Sequence, residues 1–485
     1  MSFMNRRDFL QDSAALAAAL AGAGTLASAA DKAVAAAAAK KGNANDQLNV
    51  AVVGVNGRGR DHVNGFAGKN NCIVATICDA DEGVIGKAMT AAEKAQGSVP
   101  KFEPDIRKVL EDKSIDIVSI ATPNHWHALA AIWAIQAGKD VYVEKPVSHN
   151  VSEGRRIVEA ARKHNRICQT GTQSRSSPSL HEAFAFLKSG KLGKITLARG
   201  LCYKPRPSIG KADGTGVVPK TCNYDLWCGP APMKPLHRKK LHYDWHWVWD
   251  TGNGDLGNQG IHQMDIARWG LGKMELAKSV ISVGGRFGYV DDGETANTQI
   301  CSFNFGDCEL IFEVRGLRTP DLLGAKVGNI FYGSEGYLVV PSYSSAVAYT
   351  PKGEVIQNFK GGGDHYGNFV KAVRSRKATD LNADILEGHL SSALCHLGNL
   401  SYQLGKQQPF DQKTKAFGDD KDAYDSFARM EEHLEANAVP LNETNYRLGA
   451  KLSVDPKAET IIGNKEANAL LTRQYRAPFV VPEKV

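Results

Sequence analysis

The segment LNVAVVGV, Leu48 to Val55, constrains this chain more than any other. Its apolar run has no alternating polar face. A strand built from it must be buried on both sides, as in a parallel sheet flanked by helices. Four comparable runs follow: CIVATICDA from Cys72, IDIVSIATP from Ile115, DVYVEKP from Asp140 and RICQTGTQ from Arg166. Helical patterns separate them, among them NHWHALAAIWAIQAGK from Asn124, with Gly138 placed as a C-terminal stop. Strand and helix in alternation predict an α/β fold with a doubly wound parallel sheet in the N-terminal part.

The first strand ends in Gly54-Val55-Asn56-Gly57-Arg58-Gly59. Against the pattern G-x-G-x-x-G, Gly54 and Gly59 take the first and third glycine positions. Asn56 stands in the middle one, and Gly57 follows it. Asn tolerates left-handed backbone angles better than most residues, and Gly57 leaves the backbone open to close approach. Amides at the start of the next helix would then hold a pyrophosphate. Asp79 ends the second strand, where a carboxylate bonds ribose hydroxyls and repels a 2′-phosphate. NAD is therefore the expected cofactor; Arg58 and Arg60 leave NADP open. Thr122, Pro123, Asn124 and His127 follow the third long run and should line the cofactor, and Gln173 follows the fifth.

Composition narrows the class. The 485 residues allow more than one domain and a large core. The net charge of +7 is spread along the chain without a long basic block, so nucleic acid is not the expected partner. No segment is long and apolar enough for a membrane span. The nine cysteines form no C-x-x-C pair, and those at 72, 78, 168 and 301 sit in apolar runs as buried thiols would. A disulfide between Cys222 and Cys228, across a Pro/Gly-rich loop, is left open.

At the N-terminus, Arg6-Arg7 precede Phe9-Leu10 and an Ala/Gly-rich uncharged run that ends at Ala27-Ser28-Ala29. The run is too short and too weakly apolar to span a bilayer, and it reads as an export peptide. The arginine pair, one residue and Phe-Leu resemble a twin-arginine signal, which implies a periplasmic or otherwise exported protein, folded around its cofactor before export. The expected division is a signal peptide 1–29, a polar linker 30–46, a Rossmann domain 47–168, a second α/β domain 169–405 for substrate and oligomer contacts, and an extension 406–485 without a readable motif.

Two stretches carry a family resemblance. ATPNHWHALAAIWAIQAGKDVYVEKPVSHN holds T-P-N-x-x-H, A-G-K-x-V and E-K-P in order, and GNGDLGNQGIHQMDIARWGL is similar to a G-G-x-L-x-D-x-G-x-H-x-x-D segment. Together they resemble the Gfo/Idh/MocA oxidoreductases from about Leu48 to about Gly405. The resemblance implies a Rossmann domain joined to an α/β domain with a large, mostly antiparallel sheet, and substrates among sugars, inositols and related polyols. It implies that the Glu144-Lys145 peptide approaches the nicotinamide. Lys145 would hydrogen-bond the reacting hydroxyl and favour alkoxide character, with His262 as the catalytic base. The family's Asp four residues before His262 is Asn258 here, which cannot carry the charge that favours imidazolium; Asp265, one turn later, is the alternative source. His125 and His127 form H-x-H without a third ligand at a suitable spacing, so no metal is assigned.

Two further stretches read as substrate wall. In HYDWHWVWDTGN, Trp245, Trp247 and Trp249 alternate, which on a strand puts three rings on one face, with His246 and Asp250 beside them. Lys204 and Arg206 follow a strand and are candidates for a polar or acidic group of a glycoside. From Leu276 to Thr350 the pattern is strand-like, with a hairpin turning near Gly306-Asp307. The far face of that sheet is where such families assemble as dimers or tetramers. His365–Arg376 and Ala383–Leu404 read as amphipathic helices. Outside the cytoplasm a hydride enzyme lacks a pool of NAD, so three readings stand. The first is an oxidoreductase acting on a sugar or glycoside hydroxyl with tightly bound NAD, reoxidised by a second substrate or redox partner. The second is a redox-neutral NAD-dependent glycosidase working by oxidation, elimination, hydration and reduction. The third is a non-catalytic sugar-binding subunit.

Overall fold

The computed structural model describes residues 46–410 and 414–485; the signal peptide and nearly all of the linker lie outside them. Six parallel strands form the first sheet in the order β3-β2-β1-β4-β5-β6. They are β1 (Leu48–Val53), β2 (Cys72–Cys78), β3 (Lys101–Glu103), β4 (Ile117–Ile120), β5 (Asp140–Val143) and β6 (Cys168–Thr170). Helices α1 (Gly59–Phe66), α2 (Gly86–Gln96), α3 (Ile106–Glu111), α4 (Asn124–Gln136) and α5 (Val151–Lys163) connect them. The strands are buried on both faces, as their uninterrupted apolar runs require: Val50, Val52 and Ile77 pack on one side, Ala51, Val118 and Val141 on the other. The strand order reverses between β1 and β4, and at that point an open α/β sheet leaves a crevice beyond its carboxyl ends.

The second sheet is larger and almost entirely antiparallel. Its path is β14-β13-β12-β11-β7-β10-β9-β8-β16-β15, with β17 also on β8. The strands are β7 (Ile195–Tyr203), β8 (Ser279–Gly285), β9 (Thr298–Asn304), β10 (Glu309–Arg315), β11 (Val327–Gly333), β12 (Gly336–Ser342), β13 (Ser345–Tyr349), β14 (Val355–Lys360), β15 (Lys406–Pro409), β16 (Asn445–Leu448) and β17 (Leu452–Asp455). Only β7 and β10 run parallel within it. β9 and β10 form the expected hairpin around Gly306. The inner face packs on α6 (Pro178–Lys188), α7 (Gly260–Gly270) and α9 (Ile385–Gln403), with Phe303, Phe312 and Phe331 meeting Leu180, Met264 and Leu394. Helix α8 (His365–Ser375) instead lays Phe369 and Val373 on the first sheet.

The outer face is covered in part by α10 (Lys421–Ala436), whose Phe427, Met430 and Leu434 pack on Leu197, Ile300 and Ile311. Its Asp422 carboxylate and Ser426 hydroxyl hold Arg199, itself paired with the fully buried Glu313. Beyond α10 the same face continues over β7, β11, β12 and β13, carrying half-buried Tyr332, Tyr337 and Tyr349. No disulfide joins Cys222 and Cys228; both are free thiols. No helix among the described residues is long and apolar enough to cross a membrane.

Candidate active site

A crevice of about 300 Å³ opens where the two halves of the parallel sheet diverge. Its floor is the turn after β1. Gly54 adopts φ +82°, and a Cβ there would lie 2.6 Å from the Thr122 amide. A Cβ on Gly59 would sit 1.8 Å from the Gly54 carbonyl oxygen, so the first turn of α1 closes on the strand only without a side chain. Gly57 faces open space, which leaves backbone bare toward the crevice. Asn56 lines the same wall, but its φ is not left-handed, so its tolerance of that region is not what places it here.

Asp79 lies at the end of β2 on the crevice wall, one carboxylate oxygen accepting from the Val55 amide (2.8 Å) and the other from Asp81 (3.1 Å). Burial pushes its carboxyl up, against these amide bonds. Each oxygen keeps a lone pair free for a ribose hydroxyl. Arg58 is drawn away from Asp79: its Nε donates to Glu144 (3.1 Å) and its Nη1 to Asp61 (3.0 Å). Thr122 is half-buried on the crevice wall, and its enclosed hydroxyl has no partner among the described residues. Bare glycine backbone, a ribose-directed carboxylate and an orphaned hydroxyl around one crevice fit a dinucleotide.

A long strap, residues 221–246, walls the crevice opposite the glycine turn. Its start is tied to the β2 loop by the Asn223 amide on the Ala80 carbonyl (2.8 Å) and by Thr221 on Asp81 (2.5 Å). His242 meets the same Asp81 at 2.7 Å. In between, the Leu226 and Trp227 carbonyls accept from the Trp126 indole of α4. His125, which the sequence sets beside His127 as H-x-H, faces the Thr251 and Trp227 carbonyls. His127 bridges the Thr122 and Pro146 carbonyls (2.8 and 2.6 Å), tying the loops after β4 and β5 together. Burial depresses the pKa of both rings.

The candidate reacting groups follow β5 and sit on α7. Glu144 is buried, and its carboxylate accepts from Arg58 and Gln173 and meets His62 Nε2 at 3.2 Å. Burial alone would push it up; His62, Arg58 and Lys145 outweigh that and hold it well below the usual carboxylate range. Lys145 Nζ donates to the Asn258 backbone carbonyl at 3.0 Å. Burial lowers the Lys145 pKa, opposed by Glu144. His262, on α7, is 7% exposed, and its Nδ1 has no partner among the described residues. Burial and then the Lys145 charge hold the imidazole well below its ordinary range, so it is neutral at neutral pH. Its ring packs 4.8 Å from Tyr343.

Several expectations need correction. Asp265 does not serve His262: it is fully buried and bonded by Arg175 (2.8–3.0 Å) and Ser391 (2.7 Å). The tryptophan run is not a strand. Asp244–Trp247 is a 3-10 turn entered through Tyr243 at φ +65°, because Gly252 packs its bare α-carbon on the His246 backbone and folds the segment on itself. Trp245 and His246 stack at 3.6 Å and line the crevice, Trp247 is core, and Trp249 faces a separate pocket. Arg206 is held bidentate by Asp255 (2.7 Å), while Lys204 donates to Gln259 at 3.1 Å. His62, Tyr142, Trp126 and Asp81 were missed; each acts through a partner tens of residues away, which spacing does not reveal.

Crevice, glycine turn and Asp79 define a dinucleotide-binding domain that carries Lys145 on the crevice wall, and the second domain sets a neutral His262 within reach of that lysine's charge. The chain belongs to the Gfo/Idh/MocA family: residues 48–172 match the oxidoreductase family's NAD-binding Rossmann fold, and residues 194–430 its C-terminal alpha/beta domain. It is 27% identical to a levoglucosan dehydrogenase of Pseudarthrobacter phenanthrenivorans over 37% of this chain and 38% of that one. It is 33% identical to a glycosyl hydrolase family 109 protein of a Shewanella species over 25% of this chain and 28% of that one. The match thus spans about a third of these curated relatives. Among solved structures, the WlbA dehydrogenase of Bordetella pertussis, in complex with NADH and UDP-GlcNAcA, shares the fold: TM-score 0.53, 20% identity, 73% of this chain and 96% of that one covered.

Proposed function

We propose that the chain is an exported oxidoreductase that acts on a secondary hydroxyl of a sugar or glycoside with NAD held tightly. The observation that carries this reading is the Lys145 ammonium on the wall of a dinucleotide crevice, with a neutral His262 near enough to feel its charge. When bound, NAD supplies the hydride acceptor. His262 takes the hydroxyl proton, since an uncharged imidazole can accept it. Lys145 trades the Asn258 carbonyl for the substrate oxygen and holds alkoxide character. Trp245 and His246 offer a flat face to the C–H side of a pyranose, and Asn258 an amide to its hydroxyls. Homo-oligomer assembly through the tyrosine-bearing outer face, and export through the arginine-pair leader, belong to the same proposal.

Replacing Lys145 with Ala should lower kcat by roughly 10²–10³ while the protein keeps its NAD. Activity near wild type in that variant would remove Lys145 from the chemistry. The redox-neutral glycosidase is the second reading, supported by the family 109 relative and by the strap over the crevice. Aglycone release from nitrophenyl glycosides without added NAD selects it.

A further inference from the structure

We infer that the chain carries a second ligand site, outside the crevice, for a monosaccharide-sized sugar acid such as a hexuronate or aldonate. The site is a pocket of about 290 Å³ between the start of α5, the end of α9 and residues 470–474. Its main donor, Arg473, is only partly spent. Arg473 Nη1 donates to His149 Nδ1 (3.1 Å) and to the Asp250 carbonyl (2.9 Å), and the guanidinium has no carboxylate partner among the described residues. Because His149 Nδ1 accepts that bond, the proton of the neutral ring sits on Nε2. Nε2 is enclosed, with the Gly252 carbonyl against the ring. His396, 7% exposed, also lines the pocket and has an unpartnered Nδ1.

The other guanidinium nitrogens of Arg473 make no hydrogen bond among the described residues, and a planar fork of free donors on a pocket wall matches a carboxylate. The rest of the lining suits hydroxyls. Gln403 and Gln474 make no side-chain hydrogen bond among the described residues, and the Trp249 ring supplies an apolar wall. The volume suits one sugar ring. The site is joined to the crevice by one short stretch, residues 144–150, with Lys145 at one end and His149 and Asn150 at the other. Asn253 also links the two, accepting from Asn124 (3.0 Å) and donating to the His149 carbonyl (3.1 Å). This inference does not depend on the proposed reaction.

Titration calorimetry of the NAD-loaded full chain tests it, with glucuronate, galacturonate and gluconate as ligands and glucose and acetate as comparators. One sugar acid should bind saturably in the millimolar range or tighter, better than both comparators. Arg473→Gln should weaken it about tenfold or more, whereas Lys145→Ala leaves it unchanged. Gln403→Leu, which removes no internal bond, should weaken it severalfold and covers the case in which the arginine variant fails to fold. The proposal is overturned if no acid binds, if glucose or acetate binds as well, or if Lys145→Ala weakens binding while Arg473→Gln and Gln403→Leu do not.

Discussion

No carboxylate is hydrogen-bonded to the His262 ring among the described residues. Asn258 gives its backbone carbonyl to Lys145, and Asp265 is committed to Arg175 and Arg268. Burial, and then the Lys145 charge, hold the imidazole neutral well into acid. A base is active above its own pKa, so the acid limb of kcat/KM should lie below the ordinary histidine range. N258D would place a negative charge near the ring, favour imidazolium and move that limb upward. A pH–kcat/KM profile of both proteins checks this; an unmoved limb would mean that His262 is not the titrating base. On the alkaline side, the proposed chemistry needs a charged Lys145, so activity should fail below the usual lysine range, because burial lowers that pKa. Lys145, Asn258 and His262 were legible because they sit inside contiguous motifs. The partners of Asp265 and Glu144 were not: Arg175 is 90 positions from Asp265, and His62 is 82 from Glu144.

Two elements depend on single positions. Gly59→Ala drives a methyl into the Gly54 carbonyl, so the turn and the first turn of α1 must part. The variant should lose at least about 2 kcal/mol of stability and most of its copurifying NAD, as seen by denaturant unfolding and by absorbance of the released cofactor. At the other sheet, Glu309 of β10 faces Asp420, the N-cap of α10, and burial with that neighbour raises its pKa to about 8. The folded state thus holds a proton that the unfolded chain releases in the usual glutamate range. Stability falls as pH climbs from that range through about 8. Glu309→Gln removes the loss and should raise Tm at pH about 9 by a few degrees, with little change in acid. The five long strands of the first sheet were readable from their apolar runs. β3 was not, since three half-exposed residues at an edge carry no periodicity. β15 to β17 were hidden for the same reason, being short and largely polar, and only pairing orders them, β16 and β17 on β8 and β15 on β16. The tryptophan run misled because alternation is a weak signal where glycines permit a fold-back.

At the scale of the whole molecule, the crevice is closed by parts of the chain that lie far apart. The strap is pinned to the β2 loop at both ends and to α4 in its middle. Behind it, Arg476 bonds Asp225 (2.5 Å) and Phe479 packs on Trp126. Trp126→Ala would free the strap's middle, and loss of bound NAD on dilution should quicken about tenfold or more. An unchanged rate would mean that the coenzyme leaves by another route. Under the proposed chemistry, a fastened strap has a consequence for bookkeeping of atoms. A deuterium lifted from one sugar would remain on the same protein molecule until a later acceptor collected it, so isotope would pass between substrates without ever mixing with dissolved coenzyme.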